Sequence, residues 1–384
     1  MKRKKHSIVN IKASIMKKNI LVLVLFTVPL VQGLFGQIAS DANGSNIKPV
    51  WEFVGNKYNK DAMTAAQADN IFKKTDVYKT YFVSAYQELY GVGLMGRAVI
   101  PEPSVYDIKG IQAYSYWTYV NGLEYDKEMK IKQGDTRITG RADLLVNDLR
   151  GVLEDVSGEF ELNGKPIQVF KLAHELKDPK GFKAFEAFGH ENCVAYLFTH
   201  DNKLPYRLLT RKEYLNMLKK YWQKEKETGM ATVDESEKQM LDMIENAKKE
   251  YTGELRDNML KELNSQLEQY RKRKGSNSQK LNSGIQLELD TIEYAFRHYS
   301  EEELNKPAIP IAEDVYRGFT TEKEGGYNLV ILDDSYFKKN LPDYAQQVFV
   351  MYYFYYPEDP LSVPFLKAIR DKFPYDKLIA LIDK

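Results

Sequence analysis

Three histidines, His174, His190 and His200, fall within 27 residues, each followed directly by an acid (Glu175, Glu191, Asp201), with Cys193 among them. This is a plausible donor set for zinc, which takes three or four N, S or O ligands converging tetrahedrally, with a carboxylate orienting a ligand histidine. Strand parity opposes it. Cys193 and His200 are seven apart and point to opposite faces of an unbroken strand. Neither His174-Glu175 nor His190-Glu191 continues to the second histidine of H-E-x-x-H. The reading is no metal and no cofactor, with the three histidines kept as candidate ligands and Cys193 as a buried structural thiol.

Two other motifs carry chemistry in the right context. Ser335-Tyr336-Phe337-Lys338 fits S-x-x-K, in which a lysine one helical turn away helps activate a serine nucleophile. Only 46 residues follow Lys338 and none forms a K-T-G strand, so Asp334 or Ser335 capping a short helical turn accounts for it better. Gly91-Val92-Gly93-Leu94-Met95-Gly96 fits the dinucleotide fingerprint, yet Pro101 and Pro103 follow where its helix would have to run. Close backbone packing or a strand bulge is the expected role. The acids Glu301 to Glu303 share one turn and cannot flank a bond from opposite sides, so they read as a helix N-terminus.

Aromatic residues are plentiful, at 27 Tyr, 18 Phe and 3 Trp. They concentrate at residues 114–119 and 352–356. On strands such runs place rings on both faces. One face meets the core; the other either lies under helices or offers amphipathic rings to a glycan or peptide. Tyr114, Tyr116, Trp117, Tyr353 and Tyr355 are the candidate binding residues.

The elements that must position these residues follow from periodicity and turn chemistry. After a leader, the Ala-rich stretch 63–72 predicts a short helix, and residues 81–90, 98–100 and 111–120 predict strands, with Asn121-Gly122 as a tight turn. Asn163-Gly164 lies between two alternating runs and predicts a hairpin over 158–172. Residues 194–199 and 204–209 predict a second hairpin, with Pro205 on an edge strand. Thr210 and Glu213 have capping-box spacing for a helix over 211–226. Leu241, Ile244, Tyr251, Leu255, Met259, Leu263, Leu267 and Tyr270 mark one apolar stripe of a longer helix over 233–274. That stripe packs on the preceding helix or on the sheet, or else forms a seam between protomers. Residues 275–278 end this helix, an amphipathic segment follows over 284–299, and Ser300 with Glu303 opens another capped turn. Strands return at 327–332 and 347–356, and two short helices occupy 364–383. The fold class is therefore α+β: an antiparallel, hairpin-rich sheet with a helical excursion in the middle of the chain. The expected divisions are a signal peptide (1–36), a leader and short helix (37–75), a β-rich region (76–210), a helical region (211–305), and a C-terminal segment (306–384) that completes the β-rich body.

The compartment is read from the N-terminus. Seven basic residues between Lys2 and Lys18 precede the apolar run Ile20 to Val31, which is shorter than the about 20 residues of a membrane span. Gly33 and Gly36 offer small-residue cleavage points, the pattern of a secretory signal peptide. Met16 is an alternative start. Removal of residues 1–36 leaves 48 basic against 54 acidic side chains. Such a mildly acidic chain gains little from phosphates, so nucleic acid is not an expected partner. No later apolar run predicts a transmembrane segment, and the single cysteine forbids an internal disulfide.

The leader, the run 81–96 (YFVSAYQELYGVGLMG), the segment 204–215 (LPYRLLTRKEYL) and the segment 336–342 (YFKKNLP) together resemble uncharacterised exported proteins of the Bacteroidota. The resemblance covers most of the mature chain and implies export but no activity. The expected function is a non-catalytic binding or structural protein, periplasmic or secreted, with a protein or glycan partner. The alternatives are a hydrolase with dispersed acid and base residues, or a metal-binding protein built on the histidines. N-terminal sequencing of the exported protein is expected to place cleavage near Gly33 or Gly36. A purified protein that retains residues 1–36 would contradict export.

Overall fold

The computed structural model describes residues 48–383 except 54, 62, 101–110, 126–130, 159, 190–191, 314, 358 and 360–361. The expected signal peptide therefore lies outside the described residues. Strands β1 (Val50–Phe53) and β2 (Lys57–Tyr58) lead into helix α1 (Ala65–Tyr86), followed by β3 (Val92–Ile100), β4 (Tyr114–Tyr125) and β5 (Ile131–Val146). Shorter strands follow: β6 (Leu153–Asp155), β7 (Phe160–Leu162), β8 (Lys165–Ile167), β9 (Phe170–Leu172), β10 (Glu175–Leu176), β11 (Lys183–Glu186), β12 (Cys193–Thr199) and β13 (Tyr206–Leu208). Helices α2 (Arg211–Glu250), α3 (Gly253–His298) and α4 (Glu301–Leu304) come next, then β14 (Leu329–Leu332), β15 (Val348–Tyr355), α5 (Ser362–Lys372) and α6 (Tyr375–Ile379). The fold is α+β.

The large sheet runs β1-β3-β4-β5-β15-β12-β11-β10, with β2 also beside β3. Only β1 and β2 pair parallel. A smaller antiparallel sheet, β13-β14-β9-β6, stacks on one face of the large one. Alternation on each strand feeds two cores. Phe349, Met351 and Tyr353 join Tyr78, Phe82 and Tyr86 of α1 and Phe365 of α5 on one side, while Val348, Val350 and Tyr352 meet Phe170, Tyr206 and Val330 of the small sheet on the other. A third core seats Leu215 and Leu218 of α2 and Ile292 of α3 against the outer face of the small sheet. The helical excursion is thus anchored at its root.

Local signals hold where side chain and backbone settle the matter themselves. The capping boxes at Thr210 and Ser300 are formed. Asn163 and Gly164 take the left-handed conformation, with φ of 53° and 77°, between β7 and β8. Gly96 lies within β3, and a Cβ there would fall 2.4 Å from the Tyr116 hydroxyl, so close packing explains this member of the glycine motif.

Four expectations need correction. Residues 81–86 are helical, because Ala68, Ile71, Thr75, Tyr78, Phe82 and Ala85 form one buried stripe at helical spacing, and the stripe outweighs the β preference of its aromatics. Asn121-Gly122 is no turn: β4 runs through it with a register irregularity, since β5 is long enough to pair on to Tyr125. Residues 194–209 are no hairpin, because both edges of β12 are taken by β11 and β15. The chain instead crosses at 200–202 to the other sheet, where β13 pairs β14 as an edge strand after Pro205. Finally, α2 and α3 are unbroken at 227–232 and 275–278 and turn at Tyr251-Thr252. A lone glycine in a helix costs only about 1 kcal/mol relative to alanine, which packing overcomes.

The expected apolar stripe is consequently divided between two antiparallel helices, roughly 60–70 Å long at about 1.5 Å per residue. Ion pairs Arg271–Glu237 and Lys219–Glu293 cross between them. Ile244 and Leu267 are buried, while Leu255 is 62% exposed. Part of the stripe therefore packs between the two helices, while Leu241 and Leu255 face outward.

Gly140 of β5 lies under α5, and an added Cβ would sit 2.6 Å from the Phe365 ring. Gly140→Ala is expected to cost about 1–3 kcal/mol, as overpacking does, in equilibrium urea unfolding. A Gly140→Ala protein of undiminished stability would refute the close approach of α5 to the sheet.

Candidate functional site: an arginine and aromatic face

The small sheet covers only part of the large one. Its core takes side chains from β15, β12 and β11 and Leu145 from β5, but none from β3 or β4 among the described residues. Strand register lays two cross-strand rows over this remaining area. Arg97 of β3 pairs with Trp117 of β4, which pairs with Asp143 of β5, which pairs with Tyr352 of β15. One step along, Met95, Tyr119, Arg141, Phe354 and Cys193 pair in the same order. Neighbouring strands bring these side chains within reach of one another.

The rows interlock through cation–π contacts. The Arg97 guanidinium carbon lies 5.1 Å from the Trp117 ring centre. Arg141 reaches Trp117 at 4.7 Å, and Tyr119 and Phe354 each at 5.2 Å. Trp117 is thus engaged from the strands on either side of its own. Both rings of β4 are half-buried, as are both arginines.

Arg141 also grips Asp143 with two nitrogens, its Nε donating over 2.8 Å to Oδ1. Asp143 is 2% exposed. Burial pushes its carboxyl up to about 6 in spite of the Arg141 bonds, so desolvation wins over the ion pair. Burial, with the Asp143 charge beside it, also raises the Cys193 thiol to about 12. Cys193 is therefore a neutral packing residue and no nucleophile near neutral pH. The Nε of Arg97 is buried and has no hydrogen-bond partner among the described residues. Among the described residues, the face holds two guanidiniums against one carboxylate, between aromatic rings. It can bind anionic groups.

Of the five expected binding residues, Trp117 lies on this face. Tyr114, Tyr116 and Tyr353 point the other way and are buried beneath α1 and α5, so they are core residues and not an accessible platform. The Tyr353 hydroxyl bonds that of Tyr375. Tyr355 continues β15 opposite Gly140. Parity on β4 explains the split, since alternate residues of one aromatic run must go to the core. His174 stacks on Tyr327 with ring centres 4.4 Å apart, His190 lies outside the described residues, and His200 follows the far end of β12 from Cys193. No group of three or more His, Cys, Asp or Glu side chains converges on a metal-sized site among the described residues.

Arg97, Arg141 and Asp143 are absent from the sequence reading, and Phe354 enters it only as a member of the aromatic run 352–356. Their signal is an alternation of charge or ring with small residue, as in Arg141-Ala142-Asp143, which acquires meaning only once the strand order is known.

Asp143 sets a pH dependence. Its folded value lies above the ordinary aspartate value, so between about pH 4 and pH 6 the folded chain keeps a proton that the unfolded chain has lost. Its contribution is full below about pH 4 and is lost as pH rises through 6, by on the order of 2–3 kcal/mol. Urea unfolding from pH 4 to 7 is expected to show Asp143→Asn gaining on the wild type by that amount as pH rises. A constant difference would refute the assignment.

Compared with known proteins, the chain matches no family model, no curated protein and no solved structure.

Proposed function

We propose that the protein is an exported, non-catalytic binding protein of the cell envelope or secreted space, and that the arginine and aromatic face grips an acidic protein partner. Export rests on the basic and apolar pattern of residues 1–36. The observation that carries the binding reading is the pair Arg97 and Arg141 held on Trp117, with the Asp143 carboxylate paired to Arg141 alone. Arg97 has no carboxylate partner among the described residues, so the face has positive charge to offer. Half-buried arginine and tryptophan are the residue types that dominate interface energetics. An acidic protein is preferred over a glycan because sugar rings stack on open aromatic faces, whereas guanidiniums from both neighbouring strands already engage Trp117.

The test uses poly-L-glutamate as the acidic polypeptide, with alginate and a neutral β-glucan as glycan controls. The mature protein is expected to bind poly-L-glutamate, more weakly as salt is raised. Arg97→Glu and Trp117→Ala should each weaken binding tenfold or more, about 1.4 kcal/mol, while the urea midpoint moves little. Tighter binding of either glycan would favour a carbohydrate ligand. Hydrolysis of a glycan, ester or peptide that one carboxylate or histidine substitution abolishes would replace binding with catalysis.

A further inference from the structure

The chain changes sheet twice on the same side of the body, and the two crossings border an open cavity. Residues 200–206 carry it from β12 to β13, and residues 333–338 leave β14. They are tied where Asp333 N donates to Pro205 O over 2.9 Å. Between them lies a cavity of about 420 Å³, lined by His200, Asp201, Lys203, Asp333, Ser335 and Lys338 together with apolar and tyrosine side chains. That volume is in the range of small-molecule sites, roughly 300–1,000 Å³. Two suspects from unrelated stretches of sequence, the histidine group and the S-x-x-K motif, meet here.

The wall is fixed. The His200 ring stacks on Tyr336 with centres 4.5 Å apart, and the Tyr336 hydroxyl donates to Gln347 O over 2.7 Å. Asp333 Oδ1 accepts from Ser335 N at 2.9 Å and from Ser335 Oγ at 2.6 Å. Residues 333–336 therefore form an aspartate-capped turn in place of the expected capped helical turn. Ser335 gives its proton to Asp333 and is not arranged as a nucleophile activated by Lys338.

His200 is 8% exposed, and its Nε2 is buried without a hydrogen-bond partner among the described residues. Its Nδ1 lies 3.5 Å from the Asp201 carboxylate, which favours the ring proton on Nδ1 and leaves Nε2 as an acceptor. That nitrogen has no open surface, so the His200 ring serves as wall and the exposed charges face the ligand. The cavity is lined as well by two ammonium groups, Lys203 and Lys338, and two carboxylates, Asp201 and Asp333. A purely anionic ligand would face both carboxylates, and a purely cationic one both lysines.

We infer that this cavity binds a small zwitterion, a free amino acid or short peptide, with its carboxylate toward Lys203 and Lys338 and its ammonium toward Asp201 and Asp333. The site is separate from the arginine face, and its test does not depend on that reading.

Alanyl-alanine is the probe, with the N-acetylated dipeptide, the dipeptide amide and inorganic phosphate as comparisons, all titrated by calorimetry into the full mature chain. The free dipeptide should bind, and loss of either terminal charge should weaken it tenfold or more. Lys338→Gln and Lys203→Gln, both on exposed side chains, should weaken it similarly without moving the urea midpoint. The imidazole ¹⁵N resonances of His200 should shift on titration. Absence of dipeptide binding, equal binding of the blocked dipeptides, tighter binding of phosphate, or binding unchanged in the double lysine variant would each overturn the proposal.

Discussion

The placement of β15 between β5 and β12 is the constraint on which the structure depends. This strand comes from the last tenth of the chain yet occupies the middle of the large sheet, antiparallel to both neighbours. Without it the β3-β4-β5 meander and the β10-β11-β12 group have no ladder joining them. Its alternating side chains also supply both cores, Phe349, Met351 and Tyr353 on one side and Val348, Val350 and Tyr352 on the other. The sheet cannot close until the C-terminal segment arrives, a long-range pairing whose loop-closure entropy makes it intrinsically slow.

Legibility in the sequence follows the range of the interaction. The Thr210–Glu213 box, the Asn163-Gly164 turn and the paired C-terminal helices were readable because a few adjacent residues decide them. Tyr81 to Tyr86 reads as strand from the identity of its aromatic residues and as helix from their spacing, and the buried stripe shows that spacing decides. The hairpin assigned to 194–209 failed for a different reason: nothing near β12 records that β11 and β15 occupy its edges. The candidate face was the least legible part. Arg97 and Arg141 are remote in sequence and meet at Trp117 only through the register of three strands, while the polar cavity unites a crossing at 200 with a turn at 333.

Burial separates the aromatic residues of the core from those of the face. Tyr78, Tyr86, Tyr114 and Tyr353 are fully buried, and burial raises each hydroxyl well above its ordinary value. Such a hydroxyl stays protonated and serves as a neutral donor or acceptor, as Tyr78 does toward Gln346. An aromatic-rich strand is therefore weak evidence for a binding platform. The second group, Trp117 and Tyr119, differs in what lies beside it: cations from the adjacent strands.

Asp143 shows why that face is better read as built for contact than for stability. An ion pair this deep within one strand, in which burial outweighs the partner and lifts the carboxyl to about 6, is no efficient source of stability. Apolar residues at 141 and 143 would extend the core between the sheets without that cost. The pair does fix a geometry, since Asp143 holds Arg141 by two nitrogens while Trp117, Tyr119 and Phe354 surround its guanidinium. Phe354 belongs to β15, so this arrangement is complete only when the C-terminal strand is in place. The strand that closes the sheet also completes the face, which ties presentation of the charged surface to folding of the whole chain.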